Sequence, residues 1–106
     1  MKVDIKLLIT HNNKPILSKG KYFLLKEVEK SGSLNAAAKS MGISYKKAFS
    51  YINSMEDELK ERVLIRTPGK SSKLAPKGIE LIKLYDFFYK EIKEFIDQKM
   101  AEYENK

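Results

Sequence analysis

From Ser44 to Ser50 the chain reads Ser-Tyr-Lys-Lys-Ala-Phe-Ser, which puts a phenol, two ammonium groups and two hydroxyls within seven residues and no carboxylate among them. Such a set donates hydrogen bonds and positive charge, but it holds no nucleophile beside a base with which to make or break a covalent bond. Its natural counterpart is a surface of negatively charged acceptor atoms. Arg66, Lys70 and Lys73 form a second group of donors around the tip Thr67 to Lys73, and Ser33 with Asn35 forms a third upstream. Gly69, Lys70 and Ser71 have the ending of a phosphate-binding loop, but that motif requires glycine where Leu64 stands, and the nucleotide reading is rejected.

Little else on the chain suggests reaction chemistry. There is no cysteine, which excludes disulfides and thiolate metal sites and makes a reducing compartment the simplest expectation. The only histidine, His11, sits in the polar turn cluster His11 to Lys14 with no second ligand nearby. The acidic cluster Glu56, Asp57, Glu58 and Glu61 reads as a solvated helix end. No catalytic residue, metal or cofactor is expected, and the protein is not read as an enzyme.

The elements that must position the donors follow from punctuation. Ser33 is a good N-cap, Ala36, Ala37 and Ala38 are strong helix formers, and Gly42 supplies a left-handed stop, so the spacing predicts a helix of about two turns. Ile43 is expected to tuck into the core, and Ser44 to cap a second helix running to about Leu59. On that helix Ala48, Ile52, Met55 and Leu59 make a core stripe, which leaves Lys46, Ser50 and Asn53 on the opposite face, with Lys47 beside them. Two helices across so short a turn form a helix-turn-helix. The second offers its first turn, where free backbone N–H groups also favour phosphate.

Upstream, Lys2 to Thr10 reads as a strand with Val3, Ile5 and Leu7 on its buried face, and Pro15 to Leu17 as its return. A helix opening at Ser18 or Gly20 and stopped by Gly32 presents Phe23, Leu24 and Val28 to the core, with Leu25 as a further candidate. Downstream, Val63 to Arg66 and Lys73 to Ala75 make a hairpin, giving the winged-helix order. Pro76 then starts a helix reaching about Tyr103, roughly 40 Å at the standard rise. Its apolar band is wide. Ile82, Tyr85, Tyr89, Ile92, Ile96 and Tyr103 form one stripe and Leu81, Leu84, Phe88 and Phe95 its neighbour. The distal part projects beyond so small a domain, and a second copy of the chain is the economical cover, with Tyr85, Phe88, Tyr89, Ile92, Phe95 and Ile96 as the expected dimer interface.

Charge agrees with this layout. The 106 residues carry a net charge of +7, and the last 28, from Ile79 onward, hold five basic and seven acidic groups. The basic first three-quarters suits a polyanion, because each neutralised phosphate releases condensed counterions. The only early apolar run, Leu7 to Ile9, is too short for a signal peptide, and no stretch approaches membrane-spanning length, so no membrane partner and a cytoplasmic location are expected.

The stretch SGSLNAAAKSMGISYKKAFSYINSM, followed by a wing and LAPKGIELIKLY, resembles the N-terminal DNA-binding domain of the molybdate-responsive ModE transcriptional regulators, itself related to LysR-type winged helices. The resemblance covers about Ile16 to Phe95. Its most specific part, GISYKKAF, is similar to that family's Gly-Ile-Ser-Tyr-x-x-Ala-Trp signature, with Phe49 in place of the Trp. Glu56 stands where the family often has Asn, and the wing tip lacks a glycine run. The resemblance implies DNA contacts by Ser44, Tyr45, Lys46 and Lys47, a dimer built through the first and last helices, and transcriptional control. In that family molybdate is bound by C-terminal domains, so no oxyanion site is expected within residues 1–106.

The expectation is therefore an α+β, mainly α fold: a winged helix-turn-helix with an N-terminal β-hairpin (1–17), helix-turn-helix and wing (18–75) and a long C-terminal dimerisation helix (76–106), all in one domain. The expected partners are a second copy and a palindromic double-stranded DNA, read by Tyr45, Lys46, Lys47 and Ser50, with Ser33, Asn35, Ser44, Arg66, Lys70 and Lys73 on the backbone. A protein-interaction module without specific DNA binding is the alternative, since winged helices also serve in assembly.

Overall fold

Asn12 and Asn13 both adopt a left-handed backbone, φ 51° and 65°, the pair of positive angles that a two-residue hairpin turn demands and asparagine tolerates. They join β1 (Ile9–His11) to β2 (Lys14–Leu17). The computed structural model describes residues 1–67 and 71–105. Pairing is antiparallel, Thr10 opposite Pro15 and His11 opposite Lys14, with a bulge between Ile9 and Thr10. In a two-stranded ribbon every strand is an edge, which is why Pro15 is tolerated. The first strand is much shorter than its alternation suggested. Residues before Ile9 are irregular and Val3 is exposed, although Ile5 and Leu7 are half-buried. With a partner strand of only four residues, the remaining alternation has nothing to pair with.

Three helices follow. Helix α1 (Lys19–Ser31) ends on Gly32 at φ 74°, and α2 (Leu34–Met41) on Gly42 at φ 69°. Ser33 Oγ accepts from the N–H of Ala36, and Ser44 Oγ accepts from the N–H of Lys47 to open α3 (Tyr45–Leu59). Each cap satisfies a donor that the helix start would otherwise leave open. The core joins Ile16, Leu17, Leu24, Leu25, Val28, Leu34, Ala37, Ala38, Ala48, Ile52 and Met55. Ile43 and Leu59 are half-buried against it. Phe23 is not part of it: Leu25 takes the inward position, and Phe23 is 46% exposed. Leu25 lies three residues before Val28 and shares its face, whereas Phe23, five residues before, lies about 140° around the helix from it.

The wing pairs β3 (Leu64–Arg66) with β4 (Ser72–Leu74) antiparallel, Ile65 opposite Lys73. It is tied to both sides. The N–H of Ser72 donates to the carbonyl of Gly32 at 2.8 Å, and that of Ala75 to the carbonyl of Val63 at 2.8 Å. Ala75 precedes α4 (Pro76–Glu104), whose first helical position is the proline. At Gly78 an added Cβ would lie 2.5 Å from the Val63 carbonyl oxygen, so glycine is what lets α4 start this close to the wing.

Along α4 only Gly78, Leu81, Ile82 and Tyr85 are buried. Phe87, Phe88 and Phe95 are 60%, 46% and 57% exposed. The molecule is correspondingly elongated, 59 × 30 × 20 Å. The chain itself reaches part of this surface: Val3 lines a groove with Phe95, Ile96 and Met100, and Ile5 and Leu7 line another with Tyr85 and Tyr89.

Candidate nucleic-acid interface

The core stripe of α3 fixes how the helix is held, and thereby what it presents. With Ala48, Ile52 and Met55 buried, Lys46, Lys47 and Ser50 are exposed and Tyr45 is 48% exposed. No acidic side chain lies in the first turn. The end of the helix that carries the positive dipole thus also carries the ammonium groups and hydroxyls.

Two flanks run back from this turn. On one, the Tyr45 and Phe49 rings lie 6.0 Å apart, and the Arg66 guanidinium from β3 stacks over Phe49 at 4.6 Å. Behind Arg66 stands Glu56. One of its oxygens accepts from the N–H groups of Val63 and Leu64 at 2.8 and 3.2 Å, and the other pairs with Arg62 at 3.7 Å and Arg66 at 3.9 Å. Glu56 is therefore not a member of a solvated cluster: its side chain is 10% exposed, and it fastens the wing to α3. Its partners are backbone groups seven and eight residues on, which no side-chain pattern advertises. Arg66, expected on a backbone phosphate, is turned inward by this carboxylate, and its Nε and Nη2 are buried with no hydrogen-bond acceptor among the described residues.

On the other flank Lys47 lies one turn before Tyr51, its Nζ 5.8 Å from the ring centre, and Lys21 of α1 brings its Nζ to 5.5 Å from the same ring. Among the described residues neither lysine has a carboxylate within ion-pair distance. Two cations thus share one aromatic ring, from helices that are distant in sequence.

The remaining expected contacts are distributed around this centre. Ser33 is occupied as a helix cap, Asn35 is exposed on the first turn of α2, and Lys73 is exposed on β4. The Ser72–Gly32 hydrogen bond brings the wing beside Ser33. Lys70 lies outside the described residues. Of the expected dimer residues, Tyr85 is buried in its own chain, stacked on Tyr22 at a 4.1 Å centroid distance. Phe88, Tyr89 and Phe95 are exposed, and Ile92 and Ile96 are half-exposed.

Residues 21–79 match the family model described as bacterial regulatory helix-turn-helix protein, lysR family. The chain belongs to that family. Its resemblance extends to ModE: it is 37% identical over 91 residues to the DNA-binding transcriptional dual regulator ModE of Escherichia coli K12, covering 81% of this chain and 34% of that protein. The transcriptional regulator ModE of Yersinia pestis is 34% identical over 90 residues, with the same coverage. The chain thus spans about a third of the length of these curated relatives. Among solved structures, the CbnR DNA-binding domain in its DNA complex superposes with a TM-score of 0.62 at 18% identity, over 77% of this chain and 93% of that one. ArgP of Mycobacterium tuberculosis gives 0.58 at 21% identity, over 76% and 30%. These superpositions confirm the winged-helix fold with its long last helix.

Within this lysR-family domain, the matched span begins at Lys21 and ends at Ile79, so it includes both flanks of α3 and stops at the start of α4. Among the described residues there is no group of three or more side chains able to hold a metal ion. No helix there is long and apolar enough to cross a membrane. Sequence reasoning did not bring Lys21, Tyr51 and Glu56 together with the flanks of α3. For Lys21 and Tyr51 the only signal was composition, a lysine near the start of the first helix and an aromatic one turn beyond Lys47.

Proposed function

We propose that this chain is a sequence-specific, double-stranded DNA-binding transcription regulator acting as a homodimer. The observation that carries the reading is the first turn of α3: exposed, capped by Ser44, free of acidic side chains, and held at a fixed angle by Ala48, Ile52 and Met55. Placed in a major groove, Lys46, Tyr45 and Ser50 meet base edges and Lys47 meets a base edge or the adjoining phosphate, since lysine and serine donors suit guanine acceptors or phosphates. Lys73 and Asn35, with Ser33 and Ser44 at the helix starts, meet backbone oxygens, and the wing lies on the backbone or in the minor groove. Residues 1–106 work as one DNA-binding unit. The lysR-family membership and the resemblance to ModE support this reading.

The exposed distal half of α4 supports the dimer. Phe88, Tyr89, Ile92, Phe95 and Ile96 would pack on the same helix of a second copy around a two-fold axis, placing two α3 helices in successive grooves about 34 Å apart and predicting a palindromic site.

Selection of random duplex DNA by the purified protein, followed by anisotropy titration of the enriched sequence at several salt concentrations, tests both statements. An enriched palindrome with a steep salt slope is expected. No enrichment and no salt-sensitive binding would refute it and favour a protein-interaction module. Lys46→Ala should change the preferred sequence, whereas Lys73→Ala should weaken all sequences alike.

A further inference from the structure

We infer that Lys21 and Lys47, which both approach the ring of Tyr51, form a seat for the DNA backbone on the α1 side of α3. The inference rests on the DNA-binding reading above and extends it to a helix that carries none of the contacts assigned so far. Two ammonium groups that approach one ring repel each other, and the ring's negative face offsets only part of that cost. A structure that brings both to one ring with no carboxylate in ion-pair reach among the described residues leaves an unfilled demand for an anion. The chain meets the same demand differently on the other flank, where Glu56 neutralises Arg62 and Arg66.

The position suits a phosphate of the duplex. A helix lying in the major groove has one sugar-phosphate strand along each of its flanks. The wing attends the flank that carries Phe49 and Arg66, so the opposite strand passes the flank of Lys47 and Tyr51. Lys21 is half-buried, its approach to the ring limits its rotamers, and the cost of ordering it on binding is reduced accordingly. A phosphate contact of this kind carries no sequence information; it sets the depth and tilt of α3 in the groove.

The test compares Lys21→Gln, Lys21→Arg and, as a control, Lys30→Gln at the exposed last turn of α1, each titrated against the selected duplex and a scrambled one over a range of salt. Lys21→Gln should weaken both duplexes by about fivefold at ~0.1 M salt and reduce the magnitude of the salt slope by about 0.9. Its thermal midpoint should equal that of the wild type, and Lys21→Arg should restore binding. Lys30→Gln should leave affinity and slope unchanged. Wild-type binding with Lys21→Gln matching Lys30→Gln would overturn the seat while leaving the DNA-binding reading intact. So would a lowered thermal midpoint in Lys21→Gln with an unchanged slope, which would mark Lys21 as a packing residue. Absence of wild-type binding to either duplex would overturn both.

Discussion

The two flanks of α3 are built from similar parts and treated in opposite ways. Each has an aromatic ring one turn beyond an exposed residue of the first turn, Phe49 after Tyr45 and Tyr51 after Lys47, and each ring receives a cation from another element. On the wing flank the cation is balanced internally, by a carboxylate that also binds two backbone N–H groups. On the α1 flank no carboxylate among the described residues balances it. The difference teaches that positive charge serves two purposes within one small domain. Arg66 belongs to the joint that fixes the wing, whereas Lys21 and Lys47 stay available to an external anion. Counting basic residues cannot separate the two uses, because the distinction lies in where the largely buried Glu56 carboxylate sits.

The strongest way to break this comparison is to remove that carboxylate. Glu56→Ala strands the N–H groups of Val63 and Leu64, both residues being buried, and leaves Arg66 packed on Phe49 without its counter-charge. Orphaned buried donors and a half-removed ion pair together should cost about 3 kcal/mol, read from urea unfolding. Lys21→Gln on the other flank should stay within about 0.5 kcal/mol of the wild type. Equal losses on the two flanks would erase the distinction.

Gly78→Ala tests the wing flank from its far side, and the expected effect is smaller. Alanine is the better helix former by roughly 1 kcal/mol, but its Cβ would meet the Val63 carbonyl oxygen, which already accepts from Ala75. A backbone atom held by a hydrogen bond does not yield like a side-chain tip. The steric term should win, with a net loss of about 1–2 kcal/mol by urea unfolding. A stabilised variant would show the wing free to shift, and its joint to α3 looser than the hydrogen bonds of Glu56 imply.

What could be read in the sequence, and what could not, divides along a physical line. Ser33, Gly42 and Ser44 act within three or four residues of themselves, so caps and the turn between α2 and α3 were legible, as was the core stripe of Ala48, Ile52 and Met55. The inward place of Leu25 rather than Phe23 follows from its spacing of three to Val28, whereas the burial of Tyr85 and the shortness of β1 depend on what packs opposite. Glu56 could not be read at all, since an acid in an acidic run gives no sign that its partners are main-chain N–H groups across a loop. The pairing of Lys21 with Tyr51 spans 30 residues and exists only because α1 and α3 meet. Donor types at the interface are local information; their neutralisation is tertiary.

The smallest expected effect concerns how firmly the α1 flank is backed. Lys21 faces Tyr51, while its neighbour Tyr22 faces the other way, stacking on Tyr85 and donating its phenol to Asp86 of α4. Burial, followed by this hydrogen bond, pushes the Tyr22 phenol up to about 12 from its ordinary 10.0. A raised pKa means that the folded state favours the protonated phenol, so the stabilisation is fully present below pH 10 and is lost as the pH rises through about 12. Tyr22→Phe keeps the ring and removes the donor. At pH 7 it should cost about 1 kcal/mol, moderated by the partial exposure of the pair. The gap between variant and wild type should then close across the interval from pH 10 to 12, followed by unfolding monitored together with phenolate absorbance. A gap that persists unchanged above pH 12 would mean that the ring stack, and not the phenol, fixes α1 against α4. In that case Lys21 would be held only by packing around its helix, and the α1 flank would be the looser of the two by more than its missing carboxylate accounts for.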